Sequence, residues 1–564
     1  MEGVQVSHFP YVRVPAVKRD LDRLREPFDL LVIGAGIYGA AIAWDATLRG
    51  LRVALIDRGD IGSGTSFNNA KTLHGGVRSL QGLRLDELRE YVRERRALLR
   101  IAPHLVRPLT FVTPALGTLT RNRLAYTAYF RAYDLLARDR NDGVDPALHL
   151  GGTRMLGREA YLALDPLSDP ARVRGGVAWQ DGQMVHGERV TLAFVKAAAA
   201  RGAAIATYLR ADTALVDGGR VRGVRCVDAA PHTVGAARAI ERAIDISAPL
   251  VVNATGPQCD RVAAALLGGA LPRLVPVLSL ALNVVTRPLG LDAAVAGTAR
   301  GRLFFAAPWR GVTIAGTGHE GYDGTADDAV VPPADVDTFL RDFNLAFPRA
   351  GLTRADIRLV HRGLLPTAAV VDGEVRLLKT SVIRDHADDG HPGMISVVGT
   401  RYTTARHTAQ LAVDRVFAAL GRPAPPCLTA TTPLAGGDVG HLATFLSDAR
   451  RLDDGVDRDA GERLARLYGT EHTAVRRLMA DGPLGEPLSP TCPTFGAEVV
   501  HAMREEMAVT LADALLRRTE AGVTGHPGRP ALERAAAIMA FELGWPPAHA
   551  EAEIAACERV YDVP

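Results

Sequence analysis

The stretch Phe28-Asp29-Leu30-Leu31-Val32-Ile33-Gly34-Ala35-Gly36-Ile37-Tyr38-Gly39, continued as far as Asp57, decides how the rest of the chain is read. Leu30 to Ile33 is a short apolar run of the kind buried in a parallel sheet. A helical stretch over 40–49 comes after the glycines and is stopped by Gly50, as expected at a helix C-terminus. A second apolar run over 52–56 ends in Asp57, 23 residues after Gly34. This is strand, Gly-x-Gly-x-x-Gly turn, helix, strand and acid. Gly34 allows the tight turn, Gly36 lets the backbone approach a pyrophosphate, and Gly39 packs the helix on the strand. The pyrophosphate then sits on the free amides at the helix start, beside Ile37 and Tyr38. Asp57 stands where an acid accepts hydrogen bonds from a ribose, which favours a free 2′-hydroxyl over a 2′-phosphate. A glycine-rich turn without a ligand is the alternative reading.

Composition narrows the class. The chain has 564 residues, of which 47% are hydrophobic and 23% charged, so two to four globular domains are expected. Lys+Arg (66) and Asp+Glu (63) nearly cancel, giving +3 and no electrostatic case for nucleic acid. The lysines are Lys18, Lys71, Lys196 and Lys379, and all other basic residues are Arg, a bias that fits a GC-rich bacterial genome. The first 27 residues have no apolar core of signal-peptide length, so a cytoplasmic location is expected. The best membrane candidate, 30–44, is interrupted by Gly34, Gly36 and Gly39. Cys226, Cys259, Cys427, Cys492 and Cys557 are an odd, widely spaced set with no C-x-x-C, which predicts reduced, buried thiols and no metal site.

The choice between NAD and FAD rests on the residues after Asp57. Residues 62–78 are rich in glycine, hydroxyl and amide groups, with Gly64, Thr65 and Ser66 at the start. Two further strand-to-glycine turns occur, one at Ala254-Thr255-Gly256 and one at Gly399-Thr400-Arg401-Tyr402-Thr403. Three such turns spread along the chain suit a single extended FAD held by separated segments.

These segments resemble the FAD-dependent glycerol-3-phosphate dehydrogenases, within the flavoprotein group that includes D-amino acid oxidase and glycine oxidase. The resemblance is carried by 29–78 with the run Lys71-x-x-His74-Gly75-Gly76-x-Arg78, and by Ala102-Pro103-His104-Leu105 and Asp181. It continues through 252–257, Pro308-Trp309, Gly316-Thr317, Arg384-Asp385, Gly399-x-x-x-Thr403-Thr404 and the late run 511–519. It implies an α/β fold: a Rossmann-like FAD-binding domain (28–105 with 171–262 and 360–425), an inserted α+β substrate or cap domain (106–170 and 263–359) and a helical C-terminal domain (430–564). Residues 1–27 are then an N-terminal extension. The composition of 421–426 reads as a linker. The spacing of Val499, Met503, Met507, Leu511 and Leu515 reads as an apolar helical stripe.

The resemblance also implies the chemistry: hydride transfer from a substrate carbon to FAD, with electrons passed on to a quinone or oxygen. Peripheral membrane contact would result in the quinone case, and a homodimer is compatible. Arg58, Lys71, Thr72, Leu73, His74 and Gly75 fall in cofactor-proximal positions, and Arg78 matches a substrate-site arginine. Other positions depart from the family. Gly-Gly-Lys becomes Gly399-Thr400-Arg401, and an Arg before a Pro becomes Leu365-Pro366, with Arg362 three residues earlier. Residues 276–283 lack a Lys-Gly-x-His pattern, a Tyr becomes Ser79, and Gly-Thr-Thr-Asp becomes Gly316-Thr317-Gly318-His319. His74, His319 and His361 are candidate bases. Arg401 keeps the charge of the lysine it replaces but is a poor proton acceptor. The changes gather in the substrate pocket while the FAD segments stay intact, so the first reading is an FAD enzyme of this family with an altered small-molecule substrate. The others are a glycerol-3-phosphate dehydrogenase proper and a flavin-binding protein without turnover.

Overall fold

A computed structural model of the chain describes residues 16–117, 122–230, 243–269, 271–371, 374–480 and 482–564. Leu30–Ile33 is a strand with every side chain buried, as a central strand covered on both faces must be. It lies within a six-stranded sheet ordered Val382–Asp385, Met394–Val398, Val251–Asn253, Leu30–Ile33, Val53–Ile56, Ala204–Ala206. All neighbours are parallel except the antiparallel edge strand Val382–Asp385. The first helix, Ile37–Leu48, begins directly at the glycine turn, earlier than the 40–49 expected. Helices Gly187–Ala200 and Ala405–Ala419 pack against it, which is why it is apolar all round. The strands ending at Ile33, Asn253 and Val398 run in the same direction, so the three glycine turns converge on one edge of the sheet. That edge, beyond the carboxyl ends of the strands, is where open α/β sheets hold ligands.

A second, ten-stranded sheet stands over this edge. It takes in Val106–Ala115, Gly175–Met184, Val277–Thr286, Ala294–Ala299, Arg302–Trp309, Val312–Tyr322 and Ile357–Val371, and the short strand Thr72–Leu73 joins it. Helix Pro333–Ala346 covers its far face through Phe339 and Phe343, with Phe347 just beyond. A small sheet of Leu209–Asp217, Arg220–Asp228 and Ala243–Ser247 completes the α/β part.

The C-terminal region is helical, with one correction to the sequence reading. The apolar stripe does not form one helix: Gly496–Glu506 ends at Met507, whose φ of +58° turns the chain, and a π-helical segment Asp513–Arg518 starts afresh. Asp513 caps this restart by accepting hydrogen bonds from the amides of Val509 and Thr510, both at 3.0 Å. A hairpin, Pro487–Ser489 with Cys492–Phe495, also lies here. Residues 16–27 pack on the chain itself: Val17 is buried and its amide donates to the Glu505 carbonyl. No helix among the described residues is long and apolar enough to cross a membrane. All five thiols are free, and four are buried, with Cys427 half-buried.

Several histidines are buried neutral. Burial pushes His104 down to about 3 and His472 to about 4, and holds His186 and His361 well below the ordinary value. Above the unfolded value of about 6.5 both states are neutral, so these groups cost nothing. Below it the unfolded chain takes up protons first, and stability falls by about 1.4 kcal/mol per pH unit per histidine until the folded value is reached. Calorimetric melting should therefore be flat between about pH 7 and 8 and fall steadily below about 6.5; a constant melting temperature down to about pH 5.5 would contradict this.

Candidate active site

The glycine-turn end of the cavity is built by steric exclusion. Gly34 has φ +103°, and a Cβ there would lie 2.7 Å from the Ala254 carbonyl oxygen. A Cβ on Gly39 would lie 1.8 Å from the Gly34 oxygen. Only glycines let the turn, the helix and the neighbouring strand approach this closely. At the helix start the Ile37 amide donates to Ser66 Oγ at 2.9 Å. Asp57 accepts from the amides of Ala35 (2.6 Å) and Gly59 (2.8 Å), which orients its carboxylate at the end of its strand. Burial raises Asp57 to about 6, so it is ionised at neutral pH. Arg58 is paired with Asp327 (2.5 Å). A cavity of about 2780 Å³ runs from Asp57 past Gly34, Gly36, Gly64, Thr65, Ser66, Ala254, Thr255 and Gly256 to Gly399–Thr403. A Cβ on Gly399 would fall 2.2 Å from the Tyr38 ring, so this turn is also pressed close to the helix. The length of the cavity, the helix start that borders it and the buried acid fit an extended FAD.

The end of the cavity under the ten-stranded sheet is bordered by the turn 71–78. Lys71 does not line the cavity. Its buried Nζ donates to the Phe67 carbonyl (2.6 Å), sits 3.5 Å from Glu188 and lies 4.7 Å over the Phe67 ring. Burial lowers its pKa, and Glu188 opposes the shift. Leu73 is core. Gly75 is pressed onto a buried cluster of Arg95, Asp181 and Tyr133; a Cβ there would meet Arg95 Nη1 at 2.0 Å. His74 is open to the cavity. Its amide donates to Thr403 Oγ1 (3.2 Å) and its Nε2 lies 3.1 Å from Thr72 Oγ1. Desolvation lowers its pKa below the ordinary value; Asp181 opposes the shift, and Arg78, Arg95 and Arg401 add to it, so the neutral ring is favoured at pH 7. Arg78 also lines the cavity, and its guanidinium has no hydrogen-bond or ion-pair partner among the described residues. Arg401 is engaged: it pairs with Glu87 and lies 5.2 Å over the Tyr91 ring. Tyr402 hydrogen-bonds to the Gly187 carbonyl (3.0 Å) and to Thr191 (2.8 Å).

The ten-stranded sheet roofs this end, and its register decides which residues look down. Gly363 pairs with Ala281, which pairs with His319; Leu365 pairs with Ser279. Residues side by side in a sheet share a face, and positions two apart do too. A Cβ on Gly363 would lie 3.2 Å from Thr65 Cγ2, so this is the side that faces the 57–68 loop. Leu365 and His319 are on it. Arg362, an odd number of residues from Leu365, is on the other face with Leu282 and Leu364. It is exposed and borders the cavity, and its amide donates to Asn68 Oδ1 (3.2 Å). An arginine on that face does not replace one at 365. His319 lines the cavity with Nδ1 3.3 Å from Ser279 Oγ, and burial lowers it to about 4. His361 shares the face but is covered by Phe67 (5.4 Å) and does not reach the cavity.

Sequence reasoning missed three features. Asn283 is buried on the roof with Oδ1 taken by Thr317 (2.9 Å). Glu87 pairs with both Arg401 and Arg84. An aromatic wall of stacked Phe111 and Trp179 (5.5 Å), with Phe130 behind it, bounds the pocket. None has a local signature, because each depends on which distant strand or helix lies alongside.

Comparison with known proteins agrees with this geometry. Residues 29–415 match the family described as FAD dependent oxidoreductase, and 427–550 match the C-terminal domain of alpha-glycerophosphate oxidase. A glycerol-3-phosphate dehydrogenase of Synechocystis is 32% identical, covering 92% of this chain and 93% of the relative. The aerobic glycerol-3-phosphate dehydrogenase of Staphylococcus aureus is 28% identical over 88% of this chain and 87% of its own length. The crystal structure of the Bacillus halodurans glycerol-3-phosphate dehydrogenase with FAD superposes with a TM-score of 0.74 at 26% identity, covering 97% of this chain and 98% of that one.

The Arg78 guanidinium, without a partner among the described residues, leads to a direct test. A charged hydrogen bond to an anionic substrate is worth about 1.5–3 kcal/mol, so Arg78→Ala should lower kcat/KM about 10- to 100-fold, with Arg78→Lys in between. Steady-state kinetics with the best substrate found would check this, and an unchanged kcat/KM would remove Arg78 from the substrate site.

Proposed function

Because the chain belongs to the FAD-dependent oxidoreductases, in their glycerol-3-phosphate dehydrogenase branch, we propose that it is a dehydrogenase or oxidase with an altered substrate. That substrate is a small alcohol, amine or hydroxy acid other than glycerol 3-phosphate. The observation that carries the reading is the roof register: Leu365 faces the cofactor side, and Arg362 is on the opposite face. A phosphate held in a low-dielectric pocket needs several cationic donors, and removing one from a buried charge pair costs about 2–5 kcal/mol. Lys71 and Arg401, which could otherwise serve, are committed to Glu188 and Glu87.

FAD supplies the hydride acceptor. The chain's own residues would do the rest. Gly34, Gly36, Ser66, Asp57 and the 399–403 turn hold the cofactor. Arg78 orients an anionic group of the substrate. His74, neutral and open to the cavity, takes the proton from the substrate hydroxyl or amine. If its Nε2–H is donated to Thr72, Nδ1 is the free acceptor. The aromatic wall at Phe111 and Trp179 keeps water away from that exchange. A quinone or oxygen is the proposed electron acceptor.

The second reading is glycerol-3-phosphate oxidation itself, favoured by the 32% identity to the Synechocystis protein over nearly the full length of both chains. Anaerobic bleaching of the flavin band separates the two. Under the first, glycerol 3-phosphate bleaches slowly or not at all, and Leu365→Arg speeds its bleaching at least tenfold. Rapid bleaching of the parent protein by glycerol 3-phosphate would establish the second. The pH profile provides a further check. A base whose pKa is depressed is active while neutral, so kcat/KM should be level at about pH 7 and fall only on an acid limb below about 6.5. An inflection above that value would exclude His74.

A further inference from the structure

The late run Asp513 to Thr519 has no part in the proposed chemistry, yet it touches the cofactor loop. Arg518 grips the buried Asp60 with two parallel bonds, Nη2 to Oδ1 at 2.6 Å and Nη1 to Oδ2 at 2.9 Å. Arg517 Nε adds a third at 2.5 Å. Both arginines are fixed from behind, Arg518 through the Glu506 carbonyl (2.8 Å) and Arg517 through Asp513 (2.5 Å). Asp513 also accepts from the Tyr208 hydroxyl, and the Tyr208 amide donates to the Gly59 carbonyl (3.1 Å).

Asp60 lies in the segment that begins at Asp57 and continues to Thr65 and Ser66. This segment crosses to the glycine turn through Gly62, whose amide donates to the Ala35 carbonyl (3.0 Å). Leu516 packs on Phe67 in the same cluster. Ala512, Leu516 and Arg517 line the same cavity as Asp57 and Ser66. The C-terminal region thus forms part of the wall of the cofactor cavity and holds one of its loops by a buried carboxylate. A carboxylate in such a place keeps its position only while its cationic partners remain, since unpaired it is driven toward water.

We propose that Arg517 and Arg518 are cofactor-positioning residues: by holding Asp60 they fix the 57–67 segment, and they set FAD affinity from the C-terminal region. A merely structural role would lower stability without touching cofactor binding. Lys196 is the control. It ties helix Gly187–Ala200 to the same region through Glu506 (3.0 Å) and Glu471 (2.8 Å), is equally buried, and makes no bond to 57–67.

The test titrates apoprotein with FAD by flavin fluorescence and records melting temperature with and without FAD. Arg518→Lys should raise the FAD Kd at least tenfold and shrink the FAD-induced rise in melting temperature. Lys196→Gln should lower both melting temperatures and leave Kd within twofold. If Arg518→Lys gives no folded apoprotein, the FAD release rate from purified Arg517→Gln holoenzyme replaces it, with at least a fivefold increase expected. Kd and release rates within twofold of the parent, whatever the melting temperature does, would overturn the proposal. So would a Lys196→Gln variant that weakens FAD as much as Arg518→Lys.

Discussion

The fold hangs on a point of contact in which atoms of three segments leave no room for a side chain. The Gly34 oxygen lies where a Cβ of Gly39 would be, and the Ala254 oxygen lies where a Cβ of Gly34 would be. This contact sets the distance between helix Ile37–Leu48 and its strand, and it presses the 254–256 turn against the first. The parallel order of Val251–Asn253, Leu30–Ile33 and Val53–Ile56 then brings Asp57 to the same edge. A larger residue at either glycine would separate the helix start from the loop that supplies Ser66. The long cavity results from this approach and does not need the identity of the residues that line its far end.

At the end of the cavity under the ten-stranded sheet the opposite holds: most charges are engaged within the protein itself. Arg95 is bonded to Asp181, Lys71 to Glu188 and Arg401 to Glu87, and the first two pairs are fully buried. Each pair removes a desolvation penalty that neither partner could bear alone. These pairs build the platform on which the 71–78 turn rests, and Gly75 fits directly on the Arg95–Asp181 pair. Charge in this pocket is therefore no measure of charge available to a ligand. Arg78 differs because it stands on the cavity side of the turn with nothing among the described residues to neutralise it.

How far the sequence was legible depends on the range of the interactions. The strand Leu30–Ile33, the glycine turn and Asp57 lie within 28 residues of one another, and period and spacing reveal them. The three glycine turns were legible for the same local reason. The position of Lys71 was not, because its burial depends on Glu188 in a distant helix. The facing of Arg362 was half legible: its odd separation from Leu365 was visible, but its meaning required knowing that 357–371 is one strand paired with Val277–Thr286. The break at Met507 escaped because a spacing of four is the same whether one helix carries it or two. The Asp60–Arg518 bond joins residues 458 positions apart and leaves no trace in either local pattern.

The same division of ranges separates the two walls of the cavity. The glycine contact, Asp57 and Ser66 belong to the six-stranded sheet and its loops. Leu365, His319 and Asn283 belong to the other sheet and meet the cofactor loop across a face. Replacing a roof residue alters what the cavity recognises without entering the close contact at Gly34, because the two sheets share a cavity and no strand. The roof meets the 57–68 loop through apolar packing around Phe67 and through two hydrogen bonds, the Thr65 hydroxyl on the Leu364 carbonyl and the Arg362 amide on Asn68. Both bonds use the roof's backbone, so they tolerate any side chain at 365.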